Sequence, residues 1–334
     1  MTPAERRASR RRTVRFTTAG VIAWALVVAC LVGWVVWPRT TSSASPDDRL
    51  RVVTTTNFLT DTVRQVGGAD VEVVGLMGPG VDPHLYRPKA SDLALLRSAD
   101  LVVAVGLYLE GNMQTVLDDL ARTQPVLLAG ERIPDDRLLA PPAGAAPEEE
   151  HDPHIWFDVS LWSAVVEAVR AGLVEHDPAG ADGYRDRAAR YTGELEALDR
   201  EVRERIATIP AQRRVLVTSH DAFRYFGRAY DIDVVGIQGI STADEATTGD
   251  VERVAATVAQ RGVRSVFVES SVSGQTLQAV IAAARSLGSD SDIGVGVGVG
   301  GELFSDAAGA AGTREGTYAG MLRANTDRIV AGLR

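Results

Sequence analysis

Five histidines occur in the 334 residues, and three of them sit where a short apolar run gives way to a polar loop. His84 lies in "GPGVDPHLY", His154 in "HDPHIWFD" and His220 in "VTSHDAF"; Asp306 holds a comparable place in "GGELFSDAAG". Neutral imidazoles with one carboxylate suit Zn2+, and also Mn2+ or Fe2+. His84 and His154 share the leader Asp-Pro-His. The fixed φ of proline stiffens each loop and lowers the cost of ordering a ligand there. Two other uses of the same residues stay open. One is an extracytoplasmic zinc metallohydrolase, with a metal-bound water on the three histidines and Asp306 or Glu269 as general base. The other is a surface adhesion protein in which the metal only stabilises the fold.

These loops need elements that bring them together. From residue 49 the chain alternates β-branched runs with helical patterns. Strands are expected at 51–56, 71–77, 101–106 and 125–130, and again at 214–219, 233–238, 265–270 and 293–299. Near-continuous apolar strands separated by helices imply parallel sheets covered on both faces. Four strands, a gap and four strands give two α/β lobes, each with a parallel four-stranded sheet. In the gap, residues 180–207 contain no proline, and Tyr184, Ala188, Tyr191, Leu195 and Leu198 recur at spacings of three and four. That pattern predicts one rigid helix, about 40 Å long at ~1.5 Å per residue. The expected divisions are 49–179, a linking helix at 180–208, and 209–334. Ligands of open parallel sheets lie beyond the carboxyl ends of the strands. His84 and His154 then come from the first lobe, and His220 and Asp306 from the second, so that a shared ion sits in the cleft between them.

Neighbouring residues have plainer roles. His151, in "EEEHD", is expected to be an accessory residue of an acidic loop that begins with "PPAGAAP". Glu269, at a strand end, is a candidate acid behind the site. His176 reads as a helix C-terminal residue and Asp158 or Ser160 as a helix N-cap. Trp156 and Phe157 read as core or cleft wall. The alternating glycines of "GVGVGVGG" mark a buried strand where backbones approach closely, not a phosphate loop.

Charge and hydropathy bound the compartment and the partners. Residues 1–48 carry seven arginines against three acids, leaving 28 basic and 41 acidic groups in the remainder. So acidic a body excludes nucleic acid as a natural partner. An arginine-rich start is followed by an uncharged apolar run at 19–37 and by the tether "PRTTSSASPDD". About 20 apolar residues span a bilayer, and the arginines should stay on the cytoplasmic side. The body is therefore expected outside the cytoplasmic membrane on a single N-terminal span. The alternative is a secretion signal cleaved near "SSA" at 42–44. Cys30 is the only cysteine, so disulfides and thiolate metal sites are excluded from the body. The seven residues after Cys30 stay apolar, which favours a span over a lipid attachment point.

Five stretches, in order, resemble the metal-binding solute-binding proteins of ABC importers, the zinc/manganese family 9 (cluster A-I). They are "GPGVDPHLYRPKASDLALLRSADLVV", "DPHIWFDV", "VTSHDAFRYFGRAY", "GISTADEATTGDV" and "GGELFSDAAG". The resemblance covers about residues 50–334. It implies two α/β lobes joined by one long helix, with His84, His154, His220 and Asp306 as the metal ligands. It also implies a monomeric, non-enzymatic subunit that delivers zinc, or secondarily manganese, to a permease and its ATPase. Members with Glu at the position of His220 look more manganese-like. The membrane span is a departure from the family pattern and bears on processing, not on the site.

Overall fold

Strands β1 (Leu50–Thr54), β2 (Val71–Gly75), β3 (Leu101–Ala104) and β4 (Val126–Leu128) pair in parallel in the order β2-β1-β3-β4. The computed structural model describes residues 49–288 and 296–334. The N-terminal arginines, the apolar run 19–37, the tether and Cys30 lie outside the described residues, as does 289–295. Among the described residues no helix is long and apolar enough to cross a membrane.

The first sheet is covered by α1 (Asn57–Gly67), α2 (Ala90–Arg97), α3 (Gln114–Ala121) and α4 (Val159–His176). Helix α4 starts where the Asp158 carboxylate accepts the Ser160 N–H, which makes Asp158 the N-cap, and it ends at His176. After a turn at Pro178–Gly180 the chain runs through α5 (Ala181–Ile206), 26 residues without interruption. Its buried stripe is Tyr184, Ala188, Tyr191, Leu195, Leu198, Val202 and Ile206, three or four residues apart throughout. That stripe packs into a core shared by both lobes.

The second lobe holds β5 (Val215–His220), α6 (Arg224–Tyr230), β6 (Asp233–Gln238), α7 (Thr248–Gln260), β7 (Ser265–Glu269), α8 (Gln275–Gly288), β8 (Gly298–Leu303) and α9 (Tyr318–Leu333). All pairing is parallel, but it forms two ladders, β5–β6 and β7–β8, where the sequence pattern suggests one sheet. At the end of β5 the His220 N–H goes to the Glu269 carboxylate of β7 rather than to a strand carbonyl. The expected start of the eighth strand, at 293, lies outside the described residues; within them β8 begins at Gly298. Its register slips between Val266 and Phe267, and Gly300 falls in that slip. A Cβ on Gly300 would come within 2.9 Å of the Phe267 ring, so the close approach needs glycine. Val299 remains 48% exposed, so β8 is not the fully buried strand that its glycine pattern suggests.

The lobes meet through aromatic rings and not through a thin hinge. Phe157 stacks on Phe223 at 4.3 Å, and Trp162 on Tyr318 at 5.1 Å. The Tyr225 hydroxyl donates to the Asp152 carbonyl, and that of Tyr318 donates to the Trp156 carbonyl. Fully buried aromatic pairs of this kind add about 0.5–1.5 kcal/mol beyond the area they bury.

Candidate metal centre

Four buried side chains meet between the lobes at the carboxyl ends of the strands. His84 comes from the loop after β2, His154 from the long connection after β4, His220 from the last position of β5, and Asp306 from the loop after β8. One ligand atom from each lies within 4.8 Å of all the others. The His220 Nε2 is 3.3 Å from His154 Nε2 and 3.4 Å from Asp306 Oδ1, and His154 Nε2 is 3.6 Å from that oxygen. A tetrahedron with bonds of about 2.0–2.1 Å has edges of about 3.4 Å, so these spacings suit a single small ion. The His84 Nε2 and Asp306 Oδ1 are buried without a hydrogen-bond partner. Such atoms are costly unless something else satisfies them.

Each donor is aimed by a neighbour. The Glu269 carboxylate accepts from the backbone N–H of His220 and faces its Nδ1, which turns Nε2 inward. Asp152 does the same for His154, with its Oδ1 3.0 Å from the backbone nitrogen and 2.8 Å from Nδ1. Asp152 is itself held by Arg224 at 3.3 Å. The Ser271 hydroxyl donates to Asp306 Oδ2 at 3.1 Å and leaves Oδ1 facing the histidines. The Trp156 indole donates to the Ser305 carbonyl next to Asp306, and its ring lies 5.2 Å from that of His154. Carboxylates behind metal-binding imidazoles fix the tautomer and raise basicity. His84 is secured differently, through its backbone: its N–H donates to Asp82 Oδ1 and its carbonyl accepts from Asn112.

The protonation states are split. Burial pushes the His84 imidazole down to about 3, so it is neutral at ordinary pH. Burial acts the same way on His220, but Glu269 and Asp306 outweigh it and raise that imidazole well above its usual value. Burial would raise the Asp306 carboxyl, yet His220, His154 and His84 together hold it far below the carboxylate range. These directions set a His220 imidazolium beside the Asp306 carboxylate.

Sequence reasoning places Glu269 near the site, and the structure puts it directly behind His220. Asp152 and Ser271 are missed. Asp152 sits two residues before His154, as Asp82 does before His84, so the shared leader was the available signal for both. His151 stands apart from the four: its Nε2 is 3.9 Å from Asp135, and it lines a separate cavity with Tyr108, Glu131, Glu148 and Glu150. His176 ends α4, as its position suggested.

Comparisons with known proteins show the family and the fold. The zinc-binding protein TroA of Treponema pallidum is 44% identical over 290 residues, which is 87% of this chain and 91% of that protein. The manganese-binding lipoprotein MntA of Bacillus subtilis is 41% identical over the same share of this chain and 92% of its own. The solved structure of the periplasmic zinc-binding TroA superposes with a TM-score of 0.80, covering 85% of this chain and 99% of that one. A manganese-bound periplasmic protein of Candidatus Liberibacter asiaticus, 20% identical with a TM-score of 0.72, shares the fold. The family profile described as zinc-uptake complex component A, periplasmic, matches residues 52–332, so the chain belongs to that family of metal-binding solute-binding proteins.

Proposed function

We propose that the chain is the extracytoplasmic binding subunit of an ABC importer, holding one divalent transition metal between its lobes and handing it to a permease with its ATPase. The observation that carries this is the convergence of His84, His154, His220 and Asp306, four buried donors with two unsatisfied atoms among them. We assign these four as the ligands. Four such donors would complete a tetrahedral shell around one ion, whereas a catalytic zinc keeps a position open for water. The protein is accordingly a binding protein and not an enzyme.

Zinc is the first candidate cargo and manganese the second, with Fe2+ behind them. Three imidazoles and one carboxylate follow the rise in affinity from Mn2+ to Zn2+. The relatives' names divide between the two metals. The first lobe is assigned to 49–179, the linking helix to 180–208 and the second lobe to 209–334. The unit works as a monomer, kept at the outer face of the membrane by its N-terminal segment, with the run 19–37 as the span. Protein purified from its own host without added metal should contain about one equivalent of zinc per chain by elemental analysis. A preparation rich in manganese would reverse the order of cargoes, and one without any divalent metal would overturn the assignment.

A further inference from the structure

Asp82 joins the two lobes at the edge of the site. Its Oδ1 accepts the backbone N–H of His84 at 2.9 Å, within its own loop. Its Oδ2 accepts the hydroxyl of Thr242 at 2.6 Å, from the loop that follows β6 in the other lobe. One rigid carboxylate thus ties the His84 backbone to the opposite lobe. The same loop runs close to the second lobe at Gly80, where φ is +70° and a Cβ would stand 3.4 Å from the Ser270 carbonyl. Thr242 is buried, only 7% exposed, so water competes poorly for its hydroxyl.

Asp152, which holds the His154 backbone N–H, also reaches the other lobe through Arg224, but His84 differs in how its ring is held. The rings of His154 and His220 are braced by carboxylates, Asp152 and Glu269. His84 is set by its main chain, and its main chain is set by Asp82 and Asn112. A displacement of the loop after β6 pulls on Oδ2, turns the carboxylate and loosens the His84 N–H on Oδ1. The other three donors do not depend on that bond.

Resting on the metal-carrier reading above, we propose that the Asp82–Thr242 hydrogen bond is the latch that keeps His84 on the metal, and that Thr242 sets how long the cargo stays bound. A partner that draws the loop after β6 aside would open one of four coordination positions and leave the other three intact. Release would then begin at His84. Thr242 is a positioning residue in this scheme; it does not touch the metal.

The test compares Thr242→Val, which keeps shape and removes the donor, with Thr242→Ser, which restores it. Arg323→Met, which breaks an ion pair between α9 and Glu201 of α5, serves as the control for general loosening. Each full chain is loaded with zinc, its metal content is measured, and excess chelator is added while release is timed. We expect one zinc per chain in all four proteins. Release from Thr242→Val should be about tenfold faster, as for loss of a hydrogen bond to a charged group. Thr242→Ser and Arg323→Met should stay within about twofold of the parent. The melting temperature of the metal-free Val variant should match the parent's within about 2 °C. Loaded proteins that all release at the parent rate would overturn the latch and leave the carrier reading standing. Equal acceleration in the Val and Ser variants, or in Arg323→Met, would also overturn it. A parent chain that takes up no zinc would overturn the carrier reading itself.

Discussion

At the scale of single residues, the proposed centre sets a neutral His84 and a raised His220 against the lowered Asp306 carboxyl. Asp306→Ala and His220→Ala should each weaken zinc binding at least ~10-fold by calorimetry, and Glu269→Gln by ~10–100-fold through loss of the brace on His220. His176→Ala, at the end of α4, should leave affinity unchanged; a loss equal to that of His220→Ala would displace the site. Three unperturbed imidazoles would give affinity that falls steeply between about pH 7 and 5. The structure divides them. His84 is already neutral above about 3, so it adds no proton dependence in that window. His220 is raised, so it carries a proton above the ordinary imidazole range and must lose it to bind metal. Protons compete there, and affinity should rise with pH up to the His220 value. Above the ordinary imidazole range, zinc uptake should therefore still release a proton from His220, read from calorimetry in buffers of different ionisation enthalpy. Release of none would place His220 among ordinary histidines. His84, His220 and Asp306 are legible in sequence because each lies at a strand end or in the loop after it, and His154 because it repeats the leader of His84. The leader Asp-Pro-His cannot tell that Asp152 braces its own histidine's ring and meets Arg224, while Asp82 holds its histidine's backbone N–H and meets Thr242. That choice depends on what faces each loop in space.

At the scale of elements, α5 is the part the sequence describes best, because a stripe every three or four residues has no other reading. The eighth strand is described worst: alternating glycines carry little strand preference, and the slip opposite Phe267 has no local signature. The pairing of the second lobe into two ladders is equally hidden, since strand runs report their own burial and not their partners. Within α5, Gly193 is exposed, and a Cβ there would meet nothing within 4 Å. Gly193→Ala should therefore stabilise the fold by ~0.5–1 kcal/mol, by denaturant titration, through helix propensity and a less flexible unfolded chain. Zinc affinity should not change. A destabilised Gly193→Ala would mean that α5 needs a bend at this point, and that the strut is not one stiff rod.

At the scale of the whole molecule, one apolar core runs from Val52 through α5 to Leu333. The two lobes should then melt together, with fluorescence and far-ultraviolet dichroism tracing a single transition. Zinc at 100 times its Kd should add ~2.7 kcal/mol, because only the folded chain assembles the four donors. Scattering with and without zinc should give nearly equal radii of gyration, since no proline interrupts α5 and stacked rings fill the interlobe seam. A large compaction on adding zinc, or two separate melting steps, would contradict a shared core. The position of Trp156 has an optical consequence. Tryptophan occurs at 24, 34, 37, 156 and 162, so a chain lacking residues 1–48 emits from Trp156 and Trp162 alone. One of these rings lies 5.2 Å from His154 and bonds to the carbonyl beside Asp306. The protein thus carries its own indicator dye. Paramagnetic Mn2+ should dim that emission on loading, whereas Zn2+, with its filled d shell, should shift it without comparable quenching. Trp156→Phe should abolish both responses, and a signal that survives in that variant would have to arise at Trp162.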